Sequence, residues 1–138
     1  GLETLPVRME QHSKNALELA KWLEDQSAVS WVIYPGLASS RYSSLAKKYL
    51  PKGHSGILTF GLKGGFEAAK KVADNTKIFS LLANIGDSKS LIIHPASTTH
   101  QQLTKDEQKS TGVSDDLVRL SVGLENINDL KEDLLSTF

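Results

Sequence analysis

The segment Val118-Arg119-Leu120-Ser121-Val122 alternates apolar and polar side chains without a break, and this period of two constrains the fold more than any other feature of the chain. In an extended backbone it places Leu120, with Val118 and Val122, opposite Arg119 and Ser121. Such a strand has one face in a core and the other turned outward, the pattern of an antiparallel sheet rather than a parallel one buried on both faces.

The remaining periodicities fit helices around such a sheet. Leu5, Met9, Ala16, Leu19, Ala20 and Leu23 recur at helical spacing, predicting an amphipathic helix of about six turns with Pro6 tolerated near its start. Trp31 to Tyr34 is β-branched and aromatic and stops at Pro35-Gly36, as a strand entering a turn does. Ser39 or Ser40 can cap a helix carrying Leu45, Ala46 and Tyr49, and Pro51 and Gly53 end it. Ile57 to Gly61 reads as a strand, and a helix packed through Phe66, Ala69 and Val72 or Ala73 follows. Ile78 to Leu82 fits either state, and Leu91 to Ile93 reads as a short strand closed by Pro95. Thr104 with Glu107 is a capping-box pair, and Asn126 can cap a last helix carrying Ile127, Leu130, Leu134 and Leu135. The expected fold is α/β in content, a small α+β domain over residues 1–138 whose mainly antiparallel sheet has one face covered by helices.

Composition excludes several classes of function. A chain of 138 residues fits one domain, and at that size roughly two thirds of the unfolded surface can be buried. Sixteen basic and sixteen acidic side chains cancel and are scattered, so no basic field recruits nucleic acid or an anionic membrane. There is no cysteine, hence no disulfide, thiolate nucleophile or cysteine-ligated metal. No apolar run approaches the ~20 residues of a membrane helix, and no signal-peptide pattern is present. A soluble, cytoplasmic protein is expected. Gly1 leads straight into a helical pattern, as expected of a piece of a longer chain.

Two features suggest chemistry. Arg119 is a lone cation in an apolar strand; its guanidinium can take a carboxylate ligand through two parallel hydrogen bonds or make a salt bridge to a nearby Asp or Glu. The stretch from Asn84 to His100 is dense in hydroxyls, amides and small residues, as suits a binding loop. His94 and His100 are six apart with no third ligand, so hydrogen-bonded structural histidines are expected and no metal site is assigned. Gly61, Gly64 and Gly65 match neither phosphate-binding fingerprint and read as a turn. No serine sits in a nucleophile elbow, and Asp115 and Asp116 read as solvated turn residues. No catalytic residue is assigned.

Ser90-Leu91, His94-Pro95-Ala96, Thr99-His100 and Val118 through Glu125 resemble, in order and spacing, the C-terminal domain of the pyridoxal-phosphate enzymes of cysteine and methionine metabolism, and the likeness covers essentially the whole chain. Gly1 through Leu5, Tyr34 through Leu37 and Asn84 through Asp87 look most like the O-acetylhomoserine sulfhydrylase branch of that family. The resemblance implies the small domain of an aminotransferase-like (fold-type I) enzyme, closing on an amino-acid substrate held by an upstream cofactor-binding domain within a homo-oligomer. It implies that Arg119 binds the substrate α-carboxylate, that Thr99 supports Arg119, and that Ala83 leaves room for the substrate side chain. Asn84 falls where the lyases of the family have a serine that helps hold the same carboxylate, a departure the sulfhydrylases share. The implied reaction is conversion of O-acetyl-L-homoserine and sulfide to homocysteine and acetate; a cystathionine or methionine γ-lyase or γ-synthase, or a non-catalytic module of the same fold, is the alternative. The family's cofactor lysine, ring-stacking aromatic and phosphate-binding groups have no counterpart here, and Lys89 matches no family role. The chain alone is therefore expected to bind no pyridoxal phosphate and to be inactive.

Overall fold

The computed structural model describes residues 1–138. Its elements, in chain order, are α1 (Leu5–Glu24), β1 (Val29–Ile33), α2 (Ser43–Tyr49), β2 (Ile57–Leu62), α3 (Gly65–Asn75), β3 (Ser80–Leu81), β4 (Leu91–Ile93), a 3-10 turn over Pro95–Ser97, α4 (Lys105–Ser110), β5 (Leu117–Ser121) and α5 (Ile127–Leu135). The strands form one sheet in the order β1-β2-β5-β4-β3. Three of its four pairings are antiparallel, and the short β3 joins β4 in parallel. The expected mainly antiparallel sheet is present, and the ambiguous 78–82 segment contributes its parallel edge strand.

Register decides what each face carries. Leu58 pairs with Leu120, Phe60 with Val118 and with Val32, and Ile92 with Leu120, so these side chains share a face. That face packs on Ala16, Leu19, Ala20 and Leu23 of α1, on Ala69, Val72 and Ala73 of α3, and on Leu130 and Leu134 of α5, forming one core cluster. Each fully buried leucine there contributes roughly 1.5–3 kcal/mol of transfer free energy. The opposite face carries Trp31, Ile33, Thr59, Arg119 and Ser121, and no helix of the core cluster lies on it.

Several expectations need correction. Leu5 and Met9 belong to α1 but stand outside the core, because only its C-terminal turns run beneath the sheet. Buried positions of α1 include His12 and Asn15, which bond to the turn after β5. Helix α2 starts at Ser43 without a side-chain cap, since the Ser40 hydroxyl accepts the Tyr42 amide one turn too early, and only its Ala46 is buried. Leu135 faces outward while Leu130 and Leu134 face the core. The capping box at Thr104 and Glu107 and the Asn126 cap are both formed as expected. Asp116 accepts the Trp31 indole N–H at 2.8 Å, so it is a structural partner and not merely a solvated turn residue.

Candidate carboxylate site

Arg119 projects from the middle of β5 onto the open face, flanked by Thr59 of β2 and Ile93 of β4. It is half-buried, and its one protein hydrogen bond is a long one, from a terminal guanidinium nitrogen to the Asn84 carbonyl at 3.4 Å. The two salt bridges of the protein join Lys105 to Asp115 and Lys131 to Glu18, so Arg119 has no carboxylate partner. Of its two possible roles, the intramolecular salt bridge is absent. The guanidinium retains a free donor fork on the outward face, and that is the geometry for taking a carboxylate with two parallel bonds.

The neighbour that shapes this position is the loop between β3 and β4, residues 82–89. It runs over this face and bonds in turn to Arg119 and Ser121 of β5 and to Leu124 beyond it. Asn84 meets Arg119, the Gly86 amide donates to the Ser121 hydroxyl at 3.2 Å, and the Ser88 carbonyl accepts the Leu124 amide at 2.9 Å. Gly86 is needed at its place because its φ is +74°, where a side chain would be strained. At the far end, both carboxylate oxygens of Glu125 hold Ser90, one accepting its amide and the other its hydroxyl, each at 2.8 Å. The Ser90 hydroxyl accepts the Gly123 amide at 2.8 Å, and its carbonyl accepts the Ser80 amide at 3.0 Å, closing the neck of the loop. A Cβ on Gly123 would collide with the Ser88 carbonyl, the Ser90 amide and the Glu125 carboxylate.

The residues singled out from the sequence are only partly brought together. Asn84 lies against Arg119 through its backbone; its side-chain oxygen accepts the Ile85 amide, leaving the NH2 group exposed beside the site. Ala83 is exposed on the same loop. The Thr99 hydroxyl pairs with His100 Nδ1 at 2.8 Å and makes no hydrogen bond to Arg119. His94 is structural: Nε2 donates to the Asp115 carbonyl and Nδ1 accepts from Ser97, each at 2.8 Å, and Phe66 packs edge-on against its ring. No group of His, Cys, Asp and Glu side chains is arranged to hold a metal. Sequence reasoning assigned no part to Ser90, Ser121, Gly123 and Glu125 in building the site. Their signal is the run Ser121 through Glu125 directly after the arginine, but its meaning depends on pairing with a segment more than thirty residues earlier.

All lysines are exposed except Lys131, which is paired with Glu18. The side chains present suit an organic carboxylate and do not themselves make a pyridoxal-phosphate site. Fold and site together define an α/β domain with one helix-packed face and one face, partly covered by loop 82–89, that carries an arginine without a carboxylate partner.

The comparisons specify that class. The family description "Cys/Met metabolism PLP-dependent enzyme" matches residues 1–138. The chain is 58% identical over 135 residues to O-acetyl-L-homoserine sulfhydrylase of Leptospira meyeri, covering 97% of this chain and 30% of that protein. It is 53% identical over 134 residues to O-acetyl-L-homoserine sulfhydrylase 1 of Thermus thermophilus, covering 97% and 32%. A Campylobacter jejuni crystal structure assigned as an O-acetylhomoserine (thiol)-lyase, carrying a pyridoxyl-lysine phosphate, superimposes with a TM-score of 0.93 and 49% identity over 99% of this chain and 32% of that one. This chain therefore belongs to the Cys/Met metabolism PLP-dependent enzyme family. It spans about a third of the length of the curated relatives it matches. No helix is long and apolar enough to cross a membrane.

Proposed function

We propose that this chain is the C-terminal, substrate-closing domain of a pyridoxal-phosphate-dependent O-acetyl-L-homoserine sulfhydrylase, and that Arg119 holds the substrate α-carboxylate. The observation that carries the reading is the outward guanidinium of Arg119, half-buried on the open face with no carboxylate partner. The names and identities of the relatives supply the substrate class. In the complete protein the open face turns toward an upstream domain that holds the cofactor, which supplies an electron sink while acetate is replaced by sulfide at the γ-carbon. This chain orients the substrate. Arg119 binds the carboxylate, the Asn84 amide adds a donor, Ala83 leaves space for the side chain, and Thr99 supports Arg119 without a direct hydrogen bond to it. Fixing the amino acid in this way removes orientational freedom before any bond changes, and such positioning contributes several kcal/mol. The same proposal includes a cytoplasmic homo-oligomer. Its support is an apolar surface of Pro35, Tyr42, Leu45, Tyr49 and Leu50, of which Leu45 is 51% and Tyr49 66% exposed.

Arg119→Ala in the full-length enzyme tests the reading. Removing one partner of a desolvated charge pair costs roughly 2–5 kcal/mol, so KM for O-acetylhomoserine rises strongly while the KM for sulfide changes little. An unchanged KM for the amino acid overturns the assignment.

A further inference from the structure

Glu125 lies outside the carboxylate site, yet it governs the loop that shapes it. Its two oxygens take the Ser90 amide and hydroxyl, each at 2.8 Å. Ser90 in turn closes the loop neck onto Ser80 and receives the Gly123 amide. The backbone of the same turn is fixed from below by α1, where Asn15 Nδ2 donates to the carbonyls of Gly123 and Glu125 at 3.0 Å each. One end of loop 82–89 is thereby tied to a turn that cannot shift along the sheet. Beyond the neck the loop is held by the Gly86 amide on the Ser121 hydroxyl at 3.2 Å, and at Arg119 itself by only the 3.4 Å contact with the Asn84 carbonyl, too long to fix that part of the loop.

Resting on the proposed function, we infer that Glu125 is a positioning residue for substrate binding: through Ser90 it sets the height of loop 82–89 over β5 and so the aim of Arg119 and the placement of Asn84. Truncating Glu125 leaves two Ser90 donors without their acceptor and loosens the loop neck, which then keeps only the Gly123 amide on the Ser90 hydroxyl and the Leu124 amide on the Ser88 carbonyl as its bonds to the β5–α5 turn. The loop then moves relative to Arg119 while the core keeps its packing, because neither Glu125 nor Ser90 belongs to the core cluster and the Asn15 bonds to the backbone of the turn do not involve the Glu125 side chain.

The test uses the full-length holoenzyme with E125A, E125Q and S90A, read by steady-state kinetics with O-acetylhomoserine varied at saturating sulfide. Losing a hydrogen bond to a charged group weakens binding roughly ten- to a hundredfold, so KM rises on that scale for E125A and S90A. It rises less for E125Q, which keeps one acceptor oxygen, and kcat stays within about threefold, as expected when binding common to ground and transition states is lost. In a double-mutant cycle with R119K, the E125A effect shrinks, because both act through the same contact. If R119K raises KM and E125A does not, or if the two effects simply add, this inference is overturned while the proposed function stands. If R119K itself leaves KM unchanged, the carboxylate reading fails first. Should E125A not fold, E125Q and S90A carry the same comparison.

Discussion

Asp133 is the most exposed weakness in the stability of this fold, because one side chain there serves three backbone donors. Projecting from α5, it accepts the Lys77 amide on one oxygen at 2.8 Å and the Ile78 and Phe79 amides on the other at 2.8 and 3.1 Å. The carboxylate is buried, and it ties the approach to β3 onto α5 across the edge of the core. In Asp133→Ala all three donors lose their acceptor. A hydrogen bond to a charged group is worth roughly 1.5–3 kcal/mol, but three such values cannot simply be summed. Lys77 is exposed and Ile78 half exposed, so water replaces part of what their amides lose. Phe79 is 2% exposed, and its amide bears the larger desolvation cost, about 1–3 kcal/mol. Adding about 1 kcal/mol for each of the other two and subtracting about 0.5 for the better helix propensity of alanine gives a net loss of about 3.5 kcal/mol. Asp133→Asn keeps one oxygen for the Ile78–Phe79 pair and turns an NH2 toward exposed Lys77, so its loss is about half as large. With a urea slope of about 1.5 kcal/mol per molar for a chain of this size, the alanine midpoint falls by about 2 M. Urea unfolding followed by circular dichroism measures both. A drop below about 0.5 M for alanine, or equal drops for the two variants, shows that the three amides do not depend on this carboxylate.

Two pH dependences follow from the structure. Burial pushes the Tyr34 phenol up to about 12, with its hydroxyl donating to the Ser55 carbonyl at 2.9 Å and the Ser13 carbonyl at 3.3 Å. A raised folded-state value means full stability below about pH 10, where the unfolded phenol titrates, and progressive loss toward about 12; the total is about 3 kcal/mol. Tyr34→Phe flattens that alkaline slope and costs about 1 kcal/mol at neutral pH; an alkaline unfolding curve identical to the parent's refutes the assignment. Hydrogen bonds from the Thr104 backbone and hydroxyl hold the Glu107 carboxyl below the ordinary carboxylate range. The α4 cap is therefore intact above that range and weakens as pH falls through the lowered value, which hydrogen exchange of the α4 amides detects as an acid-side loss of protection absent from Glu107→Ala.

Much of the fold was legible because local chemistry agreed with tertiary need. The alternation through β5, the capping box at Thr104 and the Asn126 cap each describe a preference completed within a few residues, and each element formed where those preferences lay. Helix α1 shows the boundary of that reasoning. Its apolar stripe from Leu5 to Leu23 predicts one helix but not how far the sheet covers it; burial starts at His12, which occupies a core position because its Nδ1 donates to the Val122 carbonyl at 2.7 Å. The carboxylate site divides in the same way. Arg119 stood out as a cation in an apolar strand, whereas Glu125 entered only as the end of the family-like run from Val118, with no role of its own.

The sequence by itself determined the periods, caps and stops, and hence which segments are helices and strands and which side of β5 is polar. Those depend on interactions within one or two turns of chain. Only the tertiary structure decided that Arg119 keeps a free donor fork, that loop 82–89 lies along Arg119 and Ser121 of β5, and that Glu125 and Asp133 turn their charge onto backbone amides distant in sequence. The physical reason is that a charge's partner is set by strand order and register, which bring together residues 35 and 56 positions apart, and no local preference encodes that distance.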